Sequence, residues 1–127
     1  MSYETPWPIR QDHFDFAKQF NKPIGIAETG MSSKKVNVFG LKLRGSEKDQ
    51  HQYYKALLEI AQRDNYMFIA TFAATDFDKL VKQLPNKNIR ELAKIWQFTG
   101  LQKRSGKAKK ALKIWDEYLA KPRIQIP

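Results

Sequence analysis

The stretch Lys22-Pro23-Ile24-Gly25-Ile26-Ala27-Glu28-Thr29-Gly30 decides how the rest of the chain is read. Pro23 and Gly30 bound a run too short for a helix, and Ile24 and Ile26 favour an extended backbone packed on both faces, as in a buried parallel strand. The strand ends on one carboxylate, Glu28, and then turns. Sheets of this kind present reactive groups at the C-terminal tips of their strands, so Glu28 is a candidate catalytic residue. The bland alternative is a hydrogen-bonded loop carboxylate without chemistry.

On the N-terminal side, Gln11 to Phe20 places Phe14, Ala17 and Lys18 on one helical face and pairs Phe16 with Phe20 at i, i+4, which predicts a short amphipathic helix. On the C-terminal side, Val36, Val38, Leu41 and Leu43 alternate with polar residues about Gly40, the pattern of a hairpin within a long loop. Ser46 with Asp49 forms an S-x-x-D start signal, and Tyr53, Tyr54, Leu57, Leu58 and Ala61 then recur at helical spacing to about Arg63. Tyr66 to Ala73 reads as a second buried strand, followed by the loop Thr75-Asp76-Phe77-Asp78. A short helix is expected over Asn88 to Trp96. A last helix after Gly106 carries Ala108, Ala111, Leu112, Trp115, Tyr118 and Leu119 as its apolar stripe and stops at Pro122.

Alternating helices and buried strands imply an α/β fold with a parallel sheet and right-handed crossovers. Two strands are too few for such a sheet, because both edges keep unpaired backbone groups. More strands must come from self-association or from another chain.

At 127 residues the chain is read as a single domain over 1–127. No apolar run approaches the ~18 residues of a membrane span, and Met1 to Pro8 lacks a basic segment followed by an apolar core, so neither membrane nor signal peptide is expected. Zero cysteines exclude a disulfide scaffold and a thiolate metal site, which fits a cytoplasmic protein. His13 and His51 stand 38 residues apart, outside any H-x-x-x-H pattern, so no metal or other cofactor is expected. The glycine spacing of Gly25 to Ser32 imitates a phosphate loop, but Met31 stands where its lysine belongs. The formal charge of +10 is densest at Lys103, Arg104, Lys107, Lys109, Lys110 and Lys113. This is a solvated helix face or, in the alternative functional reading, a basic assembly or nucleic-acid-binding surface.

Three segments resemble a known family. Lys22 to Gly30, with Ser32 after it, is similar to the seventh strand of clan A (β/α)8-barrel glycoside hydrolases, with its "KPI.I.ETG" pattern. Phe68 to Asp78 resembles the eighth strand and its loop. Ile95-Trp96-Gln97-Phe98-Thr99-Gly100-Leu101 to Gly106-Lys107 and on to Trp115 resembles the ending "W..TGL...G..K.AL..W". Ser2-Tyr3 also resembles the "SYP" after the sixth strand. The resemblance implies a partial TIM barrel, a (βα)2 unit equivalent to the C-terminal quarter of the barrel, completed by oligomerisation or a separately encoded N-terminal part.

It further implies carbohydrate hydrolysis or binding centred on Glu28 as nucleophile, with Tyr3 orienting it. The family's acid/base glutamate, in an Asn-Glu pair on the fourth strand, has no counterpart here, and retaining hydrolysis needs that second carboxyl group ~5 Å away. Asp76 and Asp78 follow the neighbouring strand and are the internal candidates, against their ordinary use as turn and cap residues. The family's sugar-stacking tryptophan after the eighth strand is absent. Phe72 and Phe77 are the nearest aromatic residues, and Trp7 and Trp96 are further candidates for lining a sugar groove.

Overall fold

The computed structural model describes residues 9–122. In chain order it contains a 3₁₀ helix Asp15–Phe20, strands β1 Gly25–Thr29, β2 Lys34–Val38 and β3 Leu41–Ser46, helix α1 Glu47–Arg63, strand β4 Phe68–Thr71, and helices α2 Asp78–Gln83, α3 Lys87–Ala93 and α4 Lys110–Leu119. β1 and β4 form a parallel pair, and β2 and β3 form a separate antiparallel hairpin. No helix of the described residues is long and apolar enough to cross a membrane.

α1 starts where its sequence says it should. Ser46 Oγ accepts the Asp49 amide N–H at 3.0 Å, which satisfies one of the first-turn donors, and Glu47 and Asp49 suit the positive end of the helix dipole. Its inward stripe, Tyr54, Leu57, Ile60 and Ala61, is almost wholly buried. α4 lays Ala111 and Trp115 against this stripe, and the Tyr54 and Trp115 rings meet edge-on at 5.4 Å. Ile24 and Ile26 of the β1 segment and Ile69 of β4 close the cluster from the sheet side. Burying such side chains contributes ~1.5–3 kcal/mol each, so this layer is the core of the fold.

The hairpin expected around Gly40 is present. Phe39 and Gly40 both take positive φ, 50° and 80°, as a tight two-residue turn between β2 and β3 requires. Its tip is fastened to α3 by the Phe39 N–H, which donates to Glu91 Oε1 at 2.7 Å.

Two expectations are corrected. The segment before β1 is a 3₁₀ helix none of whose residues is buried, ended by Asn21 in the left-handed conformation. With three residues per turn, Phe16 and Phe20 no longer share a face, and both stay exposed. The β1–β4 pair, expected to be packed on both faces, is covered among the described residues by helices on one face only. On the other, Gly25, Ala27, Phe68 and Ala70 are exposed, Phe68 by 50%. The short α2 was not legible in advance, and α3 lies slightly N-terminal to the expected Asn88–Trp96 segment.

Candidate functional site

The pairing of β1 with β4 places the predicted carboxylate. Gly25 faces Phe68 and Ile26 faces Ile69, but Thr29, not Glu28, faces Thr71. β1 thus takes three steps where β4 takes two, the signature of a β-bulge across Ala27-Glu28. Thr29 turns towards α1 and is buried, its hydroxyl bonded to the Tyr53 phenol. Thr71 on β4 does the same with the Tyr54 phenol at 2.8 Å, and burial pushes Tyr54 up to about 12. Ala27 and Glu28 are both left exposed. Among the described residues Glu28 has no hydrogen-bonded or ion-paired partner, so it is a carboxylate open to whatever approaches the strand tip.

Aromatic residues gather beside it. The Phe72 N–H donates to Thr29 O at 2.8 Å, which holds Phe72 one step beyond the end of β4 and next to β1. Its ring lies 4.9 Å from Trp96 and 6.0 Å from Phe77. Phe72 is 42% exposed and Trp96 36%, so the cluster offers an apolar wall to solvent. Sequence reasoning named these three aromatic residues separately, and the fold brings them together. Tyr3 and Trp7 lie outside the described residues.

Asp76 is in a different situation. Its side chain is 5% exposed, and Oδ1 accepts both the Lys109 ammonium at 2.6 Å and the Gly100 N–H at 3.0 Å. Lys109, itself 1% exposed at the side chain, also donates to Ser33 Oγ at 2.8 Å and Phe98 O at 3.3 Å. Burial pulls this lysine below its ordinary value, opposed by the hydrogen bond to Asp76. The ion pair therefore ties the loops after β1, after β4 and before α4 into one knot. Asp78 stands in the first turn of α2 with Arg104 3.6 Å away.

Two residues of this knot escaped the sequence reading. Lys109 was counted with the basic face, but it is the N-cap position of α4 and points inward; only topology shows that Asp76 waits for it. Gln50, fully buried on α1, donates Nε2 to Met31 O and Gly100 O, both at 3.0 Å, and so anchors the loop after β1 and the segment between α3 and α4. A polar residue on the inner side of an otherwise apolar stripe was the available signal. With Lys109 turned inward and Arg104 paired to Asp78, the basic cluster is also less continuous than the sequence suggests.

No family model matches the chain, and no curated protein sequence is similar to it at a meaningful level. Among solved structures, the chain is similar to Bifidobacterium dentium β-glucuronidase, whose structure was determined in complex with coumarin-3-O-glucuronide. The two share 17% identity with a TM-score of 0.59, over 87% of this chain and 17% of that one. The likeness is one of fold, and the chain spans about a sixth of the length of the protein it matches.

Proposed function

We propose that the C-terminal end of the β1–β4 pair is a carbohydrate site of the glycoside hydrolase kind. The chain is read as the last two βα units of such a barrel, with further strands supplied from outside it. Glu28 is the nucleophile, and Phe72, Phe77 and Trp96 form the apolar wall against which a sugar ring stacks. One observation carries the reading: on a fold like that of a glycoside hydrolase, an exposed carboxylate without a partner among the described residues stands at the strand tip beside a half-exposed aromatic cluster.

Asp76 is assigned to holding the loops and not to proton transfer, since its buried oxygen is already engaged by Lys109 and Gly100. Retaining hydrolysis then lacks its acid/base group within the described residues, and the isolated chain binds sugar without turning it over. The test is a panel of aryl glycosides and oligosaccharides, followed by NMR titration and by hydrolysis assays. Binding that shifts Trp96 and Phe72 resonances, and that weakens in Trp96→Ala, is expected. Absence of any binding, with Glu28→Gln indistinguishable from the wild type, sinks the reading.

A further inference from the structure

The uncovered face of the β1–β4 pair is built for a particular neighbour. Phe68 and Gly25 are register partners, and a Cβ added at Gly25 would come within 2.4–2.7 Å of the Phe68 ring, so the ring lies across the glycine. One strand contributes a large side chain at this level and the other contributes none. The interior of an eight-stranded parallel barrel has this composition: each layer is filled by four side chains from alternate strands, and the strands between leave room. Two strands carry one such alternation, and four copies of them carry a whole layer.

The flanks agree. A cavity of about 400 Å³ opens at the N-terminal end of β4, between α1 and α4, lined in part by Phe68, Ile69, Trp115, Tyr118 and Leu119. Any strand added to the free edge of β4 in parallel register brings along whatever precedes it in its own chain at that end. For β1 this is the 3₁₀ helix with exposed Phe16 and Phe20. The chain thus carries an apolar hole beside β4 and exposed apolar rings in the segment that leads into β1. This is a heterologous contact, and it closes into a ring if the rotation per copy is right.

We propose that four copies of this chain close a parallel eight-stranded barrel, with the β4 edge of each copy pairing with the β1 edge of the next. The fourfold axis then brings four Glu28 carboxylates to one mouth, so that a neighbouring copy supplies the second carboxyl group of the site. This catalytic half rests on the carbohydrate reading above; the assembly does not.

Light scattering on the eluting full chain measures the assembly, at ~0.15 M salt, where the Debye length falls to ~8 Å and the charge repulsion between copies is screened. A mass of about 60 kDa, four times the 14.9 kDa of one chain, is expected. Phe68→Asp returns the mass to that of one chain with an unchanged far-UV spectrum, because the substituted ring is half exposed and outside the helix-side core. A folded wild-type monomer at every concentration overturns the proposal, and if that monomer still binds sugar, the carbohydrate reading survives alone. A tetramer that neither binds nor cleaves sugar keeps the assembly and overturns its catalytic half together with the carbohydrate reading. For an active tetramer, mixing wild type with Glu28→Gln in equal parts reduces activity to about a quarter if two copies share each site, since both carboxyl groups must be intact. A fall to one half means each Glu28 works alone and overturns the shared site.

Discussion

Replacing Lys109 by methionine removes the cation from the buried knot and leaves its carboxylate behind. Among the described residues, Asp76 would keep the Gly100 N–H alone as a side-chain partner, at 5% side-chain exposure. Removing one partner of a buried ion pair costs ~3–5 kcal/mol, because the survivor is an uncompensated charge in a low-dielectric interior. Against a total stability of ~5–15 kcal/mol this leaves the chain folded with much of its reserve gone. With a urea slope of ~2 kcal/mol/M, the unfolding midpoint falls by about 2 M.

The double variant Lys109→Met/Asp76→Asn regains part of that loss, since it buries no charge. Asp76→Asn alone is milder than Lys109→Met, because a buried lysine already shifted downward can give up its proton. That single variant also gains stability as pH rises towards the ordinary lysine value of 10.5, where the unfolded chain still binds the proton that the folded one has lost. The measurement is urea unfolding followed by tryptophan fluorescence. A midpoint shift for Lys109→Met below ~0.5 M, or a double variant no better than the single one, would refute the electrostatic account of the knot.

Ser46→Ala removes the cap of α1 and lowers stability by ~1 kcal/mol in thermal or urea unfolding, with no change in the sheet. Gly100→Ala drives a Cβ to 2.4 Å from the Asp76 amide nitrogen and the Thr75 carbonyl carbon, both backbone, so it costs ~1–3 kcal/mol or more and perturbs the loop that carries Asp76. Phe39→Asn gains roughly 1 kcal/mol, because the exposed ring does little packing while its φ of 50° is unfavourable for a bulky residue, and denaturant titration reads it directly. Arg44 holds Asp49, and Arg63 holds Asp64, below the ordinary 3.8. The stability these pairs contribute is present above that value and is lost as pH falls through the lower folded values, so Asp49→Asn flattens the acid limb of a stability-against-pH curve.

What the sequence made legible was local. Ser46 and Asp49 announce the start of α1 three residues apart, and the alternation on either side of Gly40 announces the hairpin, because each needs only neighbours to satisfy its hydrogen bonds. The tip of β1 was legible for the same reason, down to the carboxylate. The facing of Glu28 was not, since it depends on a bulge that appears only when β1 is counted against β4, some forty residues away in the chain. Lys109 was misread because charge density is a property of a window, whereas burial depends on what arrives from elsewhere; here Asp76, Ser33 and Phe98 arrive together. Phe16 and Phe20 were misread because the spacing assumed an α-helical turn that the backbone tightens to 3₁₀.

The bulge in β1 has a consequence for the order of events in which a neighbouring strand is acquired. An extra residue breaks the straight row of free N–H and C=O groups along a strand edge, which is how native sheets blunt an edge against pairing. In β1 the break falls at Ala27-Glu28, so only the half before it, up to Ile26, offers a regular template. A strand docking there zips upward from the base of the sheet and loses its partner groups just below the carboxylate. In the proposed ring the mouth would therefore be the last part to close and the first to fray, with the acidic tip open to solvent while the base is already sealed.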